Sequence, residues 1–424
     1  MPDISDDVSV KAESLAINQE SSSFLGLSNT LWRLAIVVGI AQFSISIWNW
    51  EFSIFLETFL EPWQLGLTFS ISTIASLTGY FLSGTIADRV GRKRTMMFAF
   101  LPAALGLLLL VNYPVWPFIP LEYASIMFGW SFIIIMSRAI PADEIEKTGG
   151  HNAARRFTMV LMPAFIVDGI SPAIGATLLN MGLIPRDLHT MAGIGSIIAF
   201  LATFLLIRES LGGEIIERTK KGPLISFRRL GSNFWKLAIG MFAFIFFFNS
   251  ALAYYGNLIV GEWGLDETTF GYAWSGFSIA TVLLMHTISG YVDRGLKKSL
   301  FLAILGNGIL IALFSLAGGA WNLFLLNFIW AVPVVMWIGA ERTLVVQDVD
   351  EENKGRALGT YQFISSSTNL VAAPFGAYIW TVTGSLRTLW MISGIGGIIS
   401  AIFLGGALKS MSVKKAAKAS ASSD

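Results

Sequence analysis

The sequence predicts an all-α membrane protein with twelve transmembrane helices in two pseudo-symmetric six-helix bundles. Three observations carry this prediction. The 424 residues are 54% hydrophobic and only 13% charged, with mean hydropathy +0.65; soluble domains carry about twice that charge. A helix-length apolar segment is duplicated: Gly66 to Asp88 and Gly271 to Asp293 span the same distance, and each ends in Asp-Arg followed by a basic cluster. Finally, the basic residues are distributed unevenly between alternate loops.

Apolar runs bounded by charged or Pro/Gly breaks give the spans in order: 31–56, 64–86, 95–112, 117–139, 158–180, 189–207, 236–260, 270–291, 299–317, 320–340, 358–380 and 387–408. Runs of roughly 20 apolar residues cross a hydrocarbon core of about 30 Å. Of 29 Lys and Arg, only Arg186 and Arg387 fall on the odd-numbered loops. Basic residues collect on cytoplasmic loops, so both termini are expected in the cytoplasm of a multi-pass cell-membrane protein.

The division expected is a disordered tail (1–30), a first bundle (31–207), a charged linker (208–235), a second bundle (236–408) and a second tail (409–424). The first tail is acidic and serine-rich and does not read as a signal peptide. A net charge of +1 argues against a nucleic-acid partner. With no cysteine, disulfides and iron–sulfur clusters are excluded. His151 and His189 fall in predicted loops, and the three histidines are too dispersed for a metal site. No phosphate-binding Gly-rich motif is present and no catalytic constellation is visible, so neither an enzyme nor a cofactor is expected.

The segment Gly84-Thr-Ile-Ala-Asp88-Arg89-Val-Gly91-Arg92-Lys93 resembles the signature loop of the major facilitator superfamily. It recurs, one residue shorter, around Asp293 and Arg294, with Leu296 where Arg is usual. Asp143-Glu144 with Arg155-Arg156, and Asp350 with Lys354-Gly355-Arg356, resemble that family's other inner loops. The resemblance covers about residues 31–408. It implies a secondary transporter working by alternating access, monomeric and embedded in lipid, in which Gly84, Asp88, Arg89, Gly91, Arg92, Asp293 and Arg294 form a gating latch. Asp88 is expected to accept from the N–H groups of a neighbouring helix start, and Arg89 and Arg92 to pair with carboxylates of the facing half.

Asp168 lies ten residues into the predicted span five, about 15 Å deep at 1.5 Å per residue. An ionisable group there is expensive and marks a functional candidate. Pro172, four residues on, cannot donate to its carbonyl. Asp168 is therefore the leading proton-coupling candidate, with Glu51 second. Glu51 and Glu122 are both expected near the outer surface and solvated.

Polar stripes mark where a solute could bind: Gln42, Ser46, Asn49 and Ser53 on span one, Asn249, Tyr254 and Asn257 on span seven, and Asn327 and Trp330 on span ten. The resemblance places spans one, four, seven and ten around a central cavity. Amides and indoles suit a small neutral or cationic organic solute. Proton symport is the first expectation. Efflux by antiport is the alternative, since Ser171-Pro172-Ala-Ile-Gly175 partly matches an element of the family's efflux proteins. A non-transporting sensor is a remote third.

Overall fold

The protein is described by a computed structural model over residues 27–147, 153–210, 230–347, 349 and 354–411. The two tails, most of the linker, His151 and Asp350 lie outside the described residues. Those described build the twelve-helix fold and contain no strand. Nine of their helices are long and apolar enough to cross a membrane. The other three crossings are span eight, Glu267–Asp293, and the divided spans one and eleven.

Capping residues start the helices where the sequence turns from polar to apolar. Glu61 precedes Pro62 at the head of span two, and its N–H donates to Gln64 Oε1 at 2.9 Å. Pro185 opens span six, where the Ile184 N–H donates to Asp187 Oδ2 at 2.9 Å. Proline suits a first turn because its missing N–H has no helical partner there. Asp266 caps span eight by accepting from the Thr269 amide and hydroxyl, each at 2.7 Å. The hydroxyl bond, followed by the amide bond, holds the Asp266 carboxyl below its ordinary value.

Three crossings are broken, two of them at matching places. Span one is Asn29–Ser46 and Phe52–Glu57 with a turn between; span seven is Ser232–Leu252, then Tyr255–Asn257 and a wider turn at Leu258–Glu262. Span eleven is Lys354–Ser367 and Asn369–Thr383, interrupted at Thr368. In lipid such breaks persist only where neighbouring groups satisfy the freed backbone.

The two halves meet at the ends of the helices away from the basic loops, here called the far face. Span two packs on the second part of span eleven, and span five on span eight. Each crossing sets a glycine from the duplicated segment against small residues beside a proline. A Cβ on Gly66 would lie 2.7 Å from Ala377 Cβ and 3.1 Å from Pro374 Cα; one on Gly271 would lie 2.8 Å from Ala176 Cβ and 2.9 Å from Trp50. Pro374 leaves the Leu370 carbonyl without its helical donor, and Ser70 Oγ supplies one from the other half at 2.9 Å. Ser275, the duplicate of Ser70, accepts from the Ala173 N–H beside Pro172 at 2.8 Å.

Gly66→Leu is therefore expected to hold the far face open, because neither helix can approach. The chain has no cysteine, so spin labels at introduced cysteines replacing Glu61 and Thr383 report the distance between spans two and eleven. The variant should broaden that distribution toward longer distances by several ångströms. An unchanged distribution would show that span eleven yields to the side chain.

Candidate functional site

A polar contact between distant segments in the interior of the first bundle is made by the stripe on span one. Gln42 Nε2 donates to Asp168 Oδ1 at 2.9 Å and Ser46 Oγ donates to the same oxygen at 2.5 Å. Gln42 Nε2 also lies 2.8 Å from Ser46 Oγ. The i, i+4 spacing of Gln42 and Ser46 aims both side chains at span five. Asp168 is half-buried, and its Oδ2 has no hydrogen-bond partner among the described residues. The arrangement fixes one oxygen and leaves the other for a proton or a solute.

The second bundle has a weaker, uncharged counterpart. Asn249 Nδ2 donates to Thr368 Oγ1 at 3.2 Å, at the break in span eleven. Asn49 is exposed at the break in span one.

The other expected solute contacts go elsewhere. Tyr254 is fully buried and its hydroxyl donates to the Ala373 carbonyl at 2.7 Å. Asn257 donates across the halves to the Ser53 carbonyl at 3.0 Å and to Glu57 Oε2 at 2.6 Å, so it ties the far face rather than lining a cavity. Asn327 donates to the Tyr255 hydroxyl at 2.7 Å, and Trp330 Nε1 donates to Asn307 Oδ1 at 2.8 Å. Both are buried in an aromatic core with Tyr255, Phe314 and Trp390. Helical period groups these side chains on one face, but that face turns into the bundle.

Glu51 corrects the expectation of a solvated carboxylate. It is fully buried, 3.4 Å from His189 Nδ1 and away from the Asp168 cluster's bonds. His189 lies in the first turn of span six, not in a loop; its Nδ1 meets the Pro185 carbonyl at 2.9 Å and its ring stacks on Phe55 at 4.4 Å. Glu122 is also buried rather than solvated.

The signature segment is mostly helix. Span two runs through Val90, carrying Gly84, half-buried Asp88 and exposed Arg89 on its last turns. Gly91 alone makes the turn, with φ 100°; only glycine adopts that without strain. Arg92 pairs with Asp143 at 2.5 Å, its N–H donates to Glu209 Oε1 at 2.8 Å, and Lys93 Nζ donates to the Phe204 carbonyl at 2.8 Å. These partners belong to the same half, whereas partners in the facing half were expected. Asp88 has no hydrogen-bond partner among the described residues, against the expected helix start. Asp293 and Arg294 are exposed.

Three ionisable residues were not singled out from the sequence: Glu341 and Arg342 lie just past the predicted end of span ten, which continues to Val346, and Arg138 sits at the last turn of the predicted span four. Glu341 on span ten accepts from the Tyr361 hydroxyl of span eleven. Arg138 on span four and Arg342 on span ten are exposed and lie within electrostatic reach of each other across the halves. For Glu341 and Arg342 the signal available was helix length, since they follow an apolar run without a turn signal.

No protein-family model matches the chain. Among characterised relatives, the enterobactin exporter EntS of Shigella flexneri is 22% identical over 333 residues, covering 77% of this chain and 78% of the relative. The same exporter from Escherichia coli O1:K1 / APEC is 21% identical over 336 residues, with the same coverage. Among solved structures, nucleoside transporter NupG superposes with TM-score 0.73 at 15% identity, covering 91% of this chain and 100% of that one. A bacterial homologue of the human lysosomal transporter Spinster, inward-facing and unoccupied, gives 0.68 at 15% identity, covering 90% and 96%. The fold, the duplicated segment and these likenesses define a multi-pass membrane transporter of a small solute. The fold is the one shared by transporters of the major facilitator superfamily.

Arg138→Gln should favour closure at the basic face by removing one of two like charges. An exposed pair of this kind contributes on the order of 1 kcal/mol, or about fivefold in the ratio of states. Double electron–electron resonance between labels at Arg89 and Arg294 should show the shortened population grow. Raising salt should produce the same change in the unmodified protein, since exposed charges are screened. A variant insensitive to both would remove repulsion from the account.

Proposed function

We propose that this protein moves a small neutral or cationic organic solute by alternating access, driven by a proton gradient, with Asp168 as the proton-carrying group. The observation that supports it is the Gln42–Ser46–Asp168 contact. A carboxyl near the middle of its span has one oxygen held by two donors and the other unoccupied. A group of this kind can exchange a proton for a solute contact without rebuilding its surroundings. Asn249 and Thr368 supply neutral hydrogen-bonding groups from the other half.

For direction, the relatives' description as exporters supports antiport, and the partial span-five element Ser171-Pro172-Ala-Ile-Gly175 agrees. We therefore place proton-coupled efflux ahead of the symport expected from sequence. The gate follows the same reading: far-face contacts at Gly66, Ser70, Asn257, Gly271 and Ser275 hold one end shut, while the latch around Asp88 and Asp293 would act at the other.

Asp168→Asn is expected to abolish uphill transport in proteoliposomes yet spare solute exchange between equal compartments, because exchange requires no net proton movement. Accumulation against a gradient by this variant would make Asp168 structural and pass the role to another carboxyl, Glu341 being the best placed. The orientation has its own check. Cysteines replacing Arg186 or Arg387 should react with an impermeant maleimide in intact cells, and one replacing Arg92 should not.

A further inference from the structure

Glu122 has no part in the proposed central site, yet it is a buried carboxyl with an unpartnered oxygen. It lies in the first turn of span four, Ile119–Lys147, at the far face. Only 6% of its surface is exposed, and its Oε2 has no hydrogen-bond partner. The carboxyl lines a cleft of about 380 Å³ between spans three and four, together with Leu109, Tyr113, Phe118, Leu121 and Ser125. Tyr113, Phe118 and Leu121 are exposed, so the cleft opens laterally. The Ser125 hydroxyl is already committed to the Pro102 carbonyl at 2.8 Å. No cationic side chain lines the cleft.

These facts constrain the occupant. A buried carboxyl without a donor carries a desolvation cost that is recovered only when a donor arrives. Its place in the first turn of a helix offsets part of that cost when a cation arrives and the carboxyl ionises. The remaining wall is hydrocarbon and one phenol ring, and the volume is that of a small organic molecule. A partner with an apolar body and a single cationic N–H head meets both requirements, and the face of Tyr113 adds a further attraction for the cation.

We propose that this cleft binds an amphiphilic organic ammonium from within the membrane, its apolar part against Leu109, Phe118 and Leu121 and its N–H donating to Glu122 Oε2. The site is separate from the Asp168 cluster, and the inference does not depend on direction or coupling.

The test uses the full-length protein in nanodiscs of phosphatidylcholine and phosphatidylglycerol, with diazirine-bearing octylamine as probe and diazirine-bearing octanol as its uncharged match. Crosslinked residues are located by mass spectrometry. The amine should label the 109–125 region about tenfold more than the alcohol, the difference expected from one charge-assisted hydrogen bond. Glu122→Gln should reduce amine labelling to the level of the alcohol. Leu121→Trp, at a membrane-exposed position, fills the cleft without touching the carboxyl and should suppress amine labelling as well, which guards against a folding defect in the first variant. Equal labelling by amine and alcohol, or unchanged amine labelling in Glu122→Gln, overturns the proposal. Displacement of the probe by phosphatidylethanolamine and not by added phosphatidylcholine supports the proposal, and identifies that lipid's ammonium head as the source of the N–H.

Discussion

The structure depends on two proline-kinked helices, each held by the opposite half. A proline inside a membrane helix leaves one carbonyl without a donor, and lipid offers no replacement. Span eleven meets this by taking the Ser70 hydroxyl on the Leu370 carbonyl. Span five lends the Ala173 N–H to Ser275. The two serines occupy corresponding places in the duplicated segment, and the glycines one turn earlier, Gly66 and Gly271, let the backbones close to contact. Far-face closure is thus built twice from the same parts. It rests on short polar bonds and close packing, with little charge. Contacts of that kind can be broken and remade when the halves rock, since each costs about 1 kcal/mol net.

Against that symmetric frame the interior is asymmetric. Both halves place a polar residue of their first crossing against their fifth, but only the first half puts a carboxylate there. Asp168 faces Gln42 and Ser46, whereas Thr368 faces Asn249. The duplication therefore supplies the geometry twice and the titratable group once. Charge at the basic face is shared differently again. Arg92 is engaged by Asp143 in its own half, while Arg138 and Arg342 stand exposed near each other. Closing that face would bring like charges together and would need either counter-charges or the latch carboxylates Asp88 and Asp293 brought to them.

The crossings, their order and the duplicated segment were legible in the sequence because bilayer thickness and hydropathy leave few alternatives. The Gln42–Ser46–Asp168 contact was half legible: period showed the stripe and depth singled out the carboxyl, but their meeting required tertiary structure. Tyr254, Asn257, Asn327 and Trp330 were misplaced for a consistent reason. A helical face of amides and aromatics looks the same whether it lines a cavity or packs a core, and here the Tyr255 hydroxyl and the Asn307 amide oxygen accept from Asn327 Nδ2 and Trp330 Nε1. Glu341 and Arg342 were missed because hydropathy ends where the hydrocarbon ends, whereas span ten runs on to Val346. Depth alone makes Glu51 look solvated; the break in span one turns it inward beside His189.

One helix carries both the polar cluster and a far-face contact. Asp168 and Ala173 lie less than two turns apart on span five, separated by Pro172, with Gly169 and Gly175 close by. Gly169 faces Ile279 of span eight, and Gly175 faces the Ile47 carbonyl at the break in span one. A change at the Asp168 carboxyl is felt by Gln42 and Ser46, and therefore by the last turn of span one before that break. The same stretch of span five bonds to Ser275 in the other half. Under the proposed function, loss of the two bonds to Asp168 Oδ1 would loosen span one from span five at the place where both meet the far-face closure. The proline adds compliance there, since the helix lacks one internal bond at that turn. Coupling of a proton to the gate then requires no long relay: the titrating group and the hinge share about 8 Å of a single helix.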